Sequence, residues 1–351
     1  MKMSSRFQWA VAAPYFDNPP AKWLDDLITD ERLSFEKIFT PRSHMSWHSR
    51  KSAVTSSSEW LTHLRQAFQA FRRRPDGVIT SFPQLAMCAG LIKKFGRSKP
   101  AIIAYNYNLG ELRAGRRQKL ARLVADQIDI YVVHSPQEVE SYAEYLGLPR
   151  ERFRFVPLQR GQIPLGRQED SEKPFILAMG SAKRDYPTLL KAVDELGIPT
   201  VIVTKAADIQ ALPASPHVRF LSDLSQMECL ELLSRARISV TPLSNLQTAS
   251  GQITFVNAMQ LGVPVIATRS PGTDGYIDHE HDGLLVEAGN VQDLTGQIRR
   301  LWNDAHFRDV LGQNALHTAA ARFSDKAAAQ SLQEMVLGLQ IGEARAFRAA
   351  S

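Results

Sequence analysis

The stretch Ala249-Ser250-Gly251-Gln252-Ile253-Thr254-Phe255-Val256-Asn257-Ala258-Met259-Gln260-Leu261-Gly262-Val263-Pro264-Val265-Ile266-Ala267-Thr268 joins a polar, glycine-containing turn to two apolar runs. A strand at 238–241 precedes it, a short helix capped near Thr254 follows the turn, and a second strand begins after Gly262. Strand, turn, helix and strand in this order make an α/β unit. Its helix starts where a polar turn leaves backbone N–H groups free to meet an anion.

The same alternation extends in both directions. Short runs rich in branched and aromatic residues predict strands over 7–12, 78–81, 101–105, 130–134 and 153–156, then over 175–179, 200–204, 218–221, 238–241, 264–268 and 283–286. Amphipathic stretches between them predict helices over 58–73, 112–126, 136–146, 186–196, 225–236, 254–261 and 291–303. The strands are continuous apolar runs, which is the pattern of strands covered on both faces in parallel, doubly wound sheets. The length of 351 residues exceeds what one core usually absorbs, and two such sheets fit it. The expected division is an N-terminal domain over 1–160, a linker over 161–173, a C-terminal domain over 174–325, and a helix and tail over 326–351. Pro164, Gly161 and the polar run from Gln168 to Ser171 mark the linker.

Composition narrows the function classes. Hydrophobic residues at 44% and charged residues at 22% are ordinary for a globular chain, which excludes disordered, collagenous and coiled-coil classes. No apolar run approaches the roughly 20 residues of a bilayer span. Pro14, Asp17, Pro19 and Pro20 stand where a signal peptide would place its small-residue cleavage site, so none is expected. Cys88 and Cys229 sit singly and read as buried thiols of a reducing cytosol. His279 and His281, with Asp278, Glu280 and Asp282, lack an orderly ligand spacing, and no metal is expected there or elsewhere.

The net charge of +6 is unevenly distributed: residues 1–160 carry 25 Lys and Arg against 15 Asp and Glu, and the remainder carries 17 against 21. The clusters Arg72-Arg73-Arg74, Lys93-Lys94 with Arg97 and Lys99, and Arg113 with Arg116-Arg117 all lie in the cationic half. Such a field attracts phosphate, and an anionic membrane surface is the expected partner. Nucleic acid is not, because no basic helix with interleaved aromatics, zinc finger or RNA-binding signature accompanies the charge.

Open parallel sheets take ligands at the carboxyl ends of their strands. After the strand at 175–179 come Gly180-Ser181-Ala182-Lys183-Arg184-Asp185. Gly180 permits close backbone approach, Ser181 offers a hydroxyl, and Lys183 or Arg184 supplies the charge to neutralise a diphosphate. Lys205 follows the strand at 200–204 and is a further cation at the same edge.

The run from Asn257 to Thr268, the Pro271-Gly272 turn and the tail Asp282-Gly283-Leu284-Leu285-Val286 together resemble the donor-binding domain of nucleotide-sugar glycosyltransferases of the two-Rossmann (GT-B) fold, specifically the large retaining family. The resemblance covers about residues 174–305 well and 100–157 more loosely. It implies two Rossmann-like domains facing across a cleft. It also implies retaining transfer of a sugar from a nucleoside diphosphate sugar to an acceptor hydroxyl without a metal or other cofactor, with a UDP-sugar the first donor to consider.

By the same resemblance Arg184 matches the lysine that grips the diphosphate, and Ser181 falls where the family often has an arginine. Ser250, Gly251, Gln252, Ile253 and Thr254 form the loop whose backbone faces the phosphates. The family's two glutamates, eight apart, fall at Ala249 and Asn257, so both carboxylates are missing. Asparagine still bonds a ribose hydroxyl, whereas alanine supplies nothing; Gln247, Ser250 and Gln252 are the neighbours able to substitute.

In the front half the position of a frequent family histidine is Asn106, which orients a hydroxyl but is no general base near neutral pH. His134, at the end of the next strand, is the nearest titratable alternative. His44, Trp47 and His48 in the irregular region 40–58, together with Asn108, are expected on the acceptor side. The leading expectation is a cytoplasmic glycosyltransferase, peripheral on the inner membrane face, acting on a lipid-linked glycan or polysaccharide acceptor. A soluble acceptor, a non-catalytic nucleotide-sugar-binding relative and a sugar-nucleotide epimerase are the alternatives.

Overall fold

The computed structural model describes residues 6–17, 19–40, 56–244 and 247–349, with side chains as far as residue 340. The chain divides into two compact units, residues 1–156 with 328–351, and residues 157–327.

The N-terminal unit holds strands β1 (Phe7–Ala12), β2 (Leu33–Ile38), β3 (Gly77–Ser81), β4 (Ala101–Tyr105), β5 (Ile130–Val133) and β6 (Phe153–Phe155). All pair in parallel in the order β2-β1-β3-β4-β5-β6. Successive residues turn to opposite faces. Ala10, Val78, Ile102 and Tyr131 therefore enter one core, with helices α1 (Ser57–Arg72), α2 (Pro83–Phe95), α3 (Arg116–Ala125) and α4 (Pro136–Leu146) packed on it. Trp9, Ile79, Ile103 and Val132 enter the other, together with Ala328, Ala329, Leu332 and Val336 of the closing helix. Strand β2 and helix α2 are absent from the sequence expectation. β2 is an edge strand whose inner positions include Ser34, Glu36 and Lys37, so it shows no apolar run. α2 opens on Phe82-Pro83 directly after β3, with only one residue between the two elements.

The C-terminal unit holds β7 (Ile176–Met179), β8 (Thr200–Val203), β9 (Val218–Leu221), β10 (Ile238–Thr241), β11 (Val265–Thr268) and β12 (Leu284–Val286). They pair in parallel in the order β12-β11-β10-β7-β8-β9. Its helices are α5 (Tyr186–Leu196), α6 (Ala206–Gln210), α7 (Gln226–Arg235), α8 (Gln252–Gln260), α9 (Val291–Asn303) and α10 (Ala305–Arg322), while the closing helix α11 (Asp325–Ala349) belongs from residue 328 onward to the N-terminal unit. Leu189, Leu190 and Val193 on α5 are fully buried against Ile176, Ile202, Leu294 and Ile298. Burying each such side chain stabilises the unit by roughly 1.5–3 kcal/mol.

Residues 161–173, expected as a linker, lie within the C-terminal unit. The backbone N–H groups of Gln168 and Asp170 donate to the carbonyls of Ser234 and Arg235, and Glu169 is held between Arg167 and Arg237, both at 2.7 Å. Polar composition there reflects an ordered ion-pair strap rather than a free connection. The expected helix start at Thr254 also moves: Gly251, at φ 86°, is the N-cap, and α8 begins at Gln252. The histidine-rich loop is held by local bonds, since His279 Nδ1 accepts the Leu285 N–H at 2.9 Å, Asp282 accepts that of Asp278 at 2.7 Å, and Glu280 pairs with Arg300.

Candidate functional site

Each sheet reverses its strand order once. In the C-terminal unit the reversal lies between β7 and β10, the position at which open parallel sheets take ligands. Gly180 to Asp185 leave β7 there, and Pro242 to Ser244 leave β10. The two loops are joined by a bridge between Arg184 and Leu243, by the Asp185 N–H bonded to the Pro242 carbonyl, and by the Ser244 N–H bonded to that of Lys183.

Arg184 folds back across the end of β7. Its Nε donates to the Met179 carbonyl at 2.9 Å, its Nη1 to the Ala182 carbonyl at 2.7 Å, and its Nη2 to Thr254 Oγ1 at 3.0 Å. One N–H remains on each terminal nitrogen, because a guanidinium carries five. Gly180, at φ 108°, is required beneath it, since a Cβ at that position would stand 2.5 Å from Arg184 Nη2. Burial lowers the Arg184 pKa, and among the described residues no carboxylate pairs with it. A half-buried cation whose protein partners are two carbonyls and a hydroxyl is electrostatically incomplete, and an anion completes it.

Thr254 belongs to the first turn of α8. The N–H groups of Thr254 and Phe255 reach the Gly251 carbonyl, whereas those of Gln252 and Ile253 have no acceptor within the helix. The Ser250 backbone is pressed against Gly272, where any side chain would collide with it, and the buried Ser250 hydroxyl has no partner among the described residues. Thus Gly180, Arg184, Ser250, Gly251, Gln252, Ile253 and Thr254 meet in one place. Ser181 is half-buried in the same loop, Lys183 is exposed at φ 56°, and Lys205 is exposed at the end of β8.

Asn257 serves a different neighbourhood. Its Oδ1 accepts from Arg160 Nε at 3.2 Å, and both line a hollow of about 380 Å³ with Gln162, Gln226 and Met227. The Arg160 backbone is fixed at both ends, its N–H to the Phe323 carbonyl and its carbonyl to Gln260 Nε2. Burial lowers the Arg160 pKa, partly offset by Asp325. Sequence reasoning missed Arg160. The only signal was a basic residue beside Gly161 at the seam.

In the N-terminal unit the strand order reverses between β1 and β3. Tyr15 follows β1, Ser81 ends β3, Asn106 follows β4 at φ 52°, and His134 follows β5. The Asn106 amide lies 3.0 Å from Ser81 Oγ and 2.7 Å from His134 Nε2, and His134 Nδ1 lies 2.7 Å from the Val156 carbonyl. A carbonyl only accepts, so Nδ1 carries the proton. Burial lowers the His134 pKa, leaving the ring neutral and Nε2 an acceptor. The structure sets Asn106 Oδ1 toward Nε2 and Nδ2 toward Ser81; with Nε2 an acceptor, the two amide atoms exchange places, so that the NH₂ donates to His134 and the oxygen accepts from the Ser81 hydroxyl. Both ring nitrogens are satisfied, and His134 fixes the Asn106 amide instead of standing open as a base. Tyr15, whose hydroxyl bonds Ser81 and whose pKa burial raises to about 12, and Ser81 itself are further members that sequence reasoning missed. Asn108 lies apart from this cluster, in a groove lined by Trp60, Met87 and Leu112. His44, Trp47 and His48 lie outside the described residues.

Residues 166–318 match the family described as Glycosyl transferases group 1. A lipopolysaccharide core biosynthesis glycosyltransferase, LpsD, of Rhizobium meliloti (strain 1021) is 39% identical over 66 residues, 19% of either chain. The chain spans between 19% and 29% of the length of the first curated relatives it matches. Sucrose-phosphate synthase from Thermosynechococcus elongatus superimposes with a TM-score of 0.70 at 17% identity, covering 96% of this chain and 100% of the other. The Anabaena protein HepE in complex with UDP-glucose does so with a TM-score of 0.64 at 14% identity, covering 94% and 99%. The chain therefore has the GT-B fold, and residues 166–318 of its C-terminal unit match the glycosyl transferases group 1 family.

Proposed function

We propose that the protein is a glycosyltransferase that moves a sugar from a nucleoside diphosphate sugar to an acceptor hydroxyl. One observation carries this reading: Arg184, half-buried and without a carboxylate, is bonded to Thr254 beside the first turn of α8 at the point of strand reversal. Breakage of the bond between the sugar and the diphosphate oxygen leaves its electron pair on the phosphate. The free N–H groups of Arg184 and the N-terminus of α8 stabilise that growing charge. The acceptor oxygen forms the new bond to the sugar and its proton passes to the departing diphosphate, so the step needs no strong base from the protein. This agrees with Asn106 and a fully bonded His134 where a base would otherwise be sought, and with retention of configuration. The nucleoside reaches toward Arg160 and Asn257, where a guanidinium and an amide replace a carboxylate.

A UDP-sugar is the first donor to test, because HepE is complexed with one. A lipid-linked glycan or a polysaccharide is the acceptor class we infer, from the cationic N-terminal half and from the naming of the lipopolysaccharide relative. Incubation with UDP-, GDP- and ADP-sugars, with and without such acceptors, tests the reading. Acceptor-dependent release of nucleoside diphosphate supports it. Tight donor binding without release, the outcome that Ala249 and Asn257 would favour, assigns a nucleotide-sugar-binding role instead.

A further inference from the structure

Three neighbouring helices on one face of the N-terminal sheet turn apolar side chains outward. On α1, Leu61, Leu64 and Phe68 recur three and four residues apart, and Phe68 is 55% exposed. On α2 the half-exposed Met87 and Leu91 continue to Phe95, which is 77% exposed. On α3, Leu120 and Leu123 are exposed beside Lys119. The three helices pack on one core, with α1 against α2 and α2 against α3, so these residues form one surface. A groove of about 420 Å³ borders it near the starts of the three helices, walled by Trp60, Met87, Leu112 and Leu120. Single exposed apolar residues are ordinary, whereas a continuous patch marks a contact surface.

The patch is set in a predominantly cationic surface, with acids at its margins, where Asp129, Asp126 and Glu111 pair with Lys93, Lys94 and Arg113. Helices α1, α2 and α3 carry eight Lys and Arg and a single acid, Glu59, whose carboxylate caps the Ser56 N–H. Among the described residues Arg65, Arg72, Arg116, Arg117 and Lys119 have no carboxylate partner. A second copy would bring an identical cationic face against this one, which repels. A bilayer with anionic head groups offers phosphates to the guanidinium and ammonium groups and an acyl boundary to the leucines and phenylalanines.

We propose that the α1–α2–α3 face seats the protein on an anionic phospholipid bilayer. This deepens the reading of a lipid-linked acceptor and rests on it for its purpose, but vesicle binding is measured without donor or acceptor, so each fails separately. In flotation with phosphatidylcholine vesicles, the full chain binds once phosphatidylglycerol is included and is released by salt. Phe68→Asp with Leu123→Asp lowers binding at least about tenfold. Arg65→Glu with Arg117→Glu abolishes the preference for phosphatidylglycerol. Both leave the melting temperature and UDP affinity of the wild type. Equal binding to both vesicle types or to neither overturns the proposal, as does either pair of substitutions leaving vesicle binding unchanged. A wild-type dimer that Phe68→Asp with Leu123→Asp splits into monomers overturns it too, in favour of a second copy on this face. Vesicle binding that survives while no sugar nucleotide binds leaves the proposal standing and removes the transfer reading.

Discussion

Arg184 Nη2 donates to Thr254 Oγ1 at 3.0 Å, which ties the loop after β7 to the first turn of α8. The bond places the positive end of the α8 dipole and a fixed guanidinium side by side. In the proposed reading the two act together on one anion, with both charge and direction.

Replacing Arg184 with alanine removes the charge and its free N–H groups. Nucleoside diphosphate affinity falls by about 2–3 kcal/mol, the range for hydrogen bonds to charged groups. Lysine retains the charge but not the fork that reaches two carbonyls and a hydroxyl together, so Arg184→Lys restores part of the loss. Calorimetric titration with UDP and GDP measures both.

Gly180→Ala places a methyl group 2.5 Å from Arg184 Nη2 in a left-handed backbone conformation. The guanidinium must move off its carbonyl partners. A stability loss of about 1–3 kcal/mol accompanies weakened diphosphate binding, read by thermal melting with and without UDP.

His134 has a folded pKa below its ordinary 6.5 because burial disfavours the imidazolium. Below pH 6.5 the unfolded chain binds the additional proton, so this contribution to stability is present above that value and is lost as pH falls toward the folded pKa. Glu138 acts in the opposite sense, since burial raises its pKa above 4.5 and favours the folded state's proton uptake there. The difference between wild type and His134→Gln isolates the histidine. Denaturant titrations above and below pH 6.5 give a wild-type loss on acidification that the variant lacks.

Asn106→Asp sets a carboxylate where the amide now lies 2.7 Å from His134 Nε2. The imidazolium gains a partner and the His134 pKa rises. A proton NMR titration of the ring reads the shift, and an unchanged midpoint contradicts the contact between residue 106 and the ring.

Arg160 and Asn257 act as a pair if both meet the nucleoside. A double-mutant cycle of Arg160→Ala and Asn257→Ala on UDP affinity then gives a coupling above about 0.5 kcal/mol. Additive losses separate their roles.

The parallel sheets were legible because strands covered on both faces are written as uninterrupted apolar runs, such as Ile176–Met179 and Ile238–Thr241. Edge strand β2 was not, since Ser34 and Glu36 face water and the half-buried Lys37 pairs with Asp25 and Asp26, which breaks the apolar run. The loop that we propose for the diphosphate was legible in Gly180, Arg184 and Gly251, which local sequence brings together at the end of β7 and the start of α8. The use of Asn257 was not, because its partner Arg160 lies 97 residues away and the two meet only through the packing of residues 157–164 on α7 and α8. The neutral state of His134 was equally hidden, for it depends on the Val156 carbonyl of the neighbouring strand's end.

A crystal structure of the full chain with UDP tests the central claim most directly. The account predicts the β-phosphate within hydrogen-bond distance of an Arg184 terminal nitrogen and of the Gln252 or Ile253 backbone N–H. A diphosphate bound elsewhere, with Arg184 still holding only Met179, Ala182 and Thr254, would contradict it.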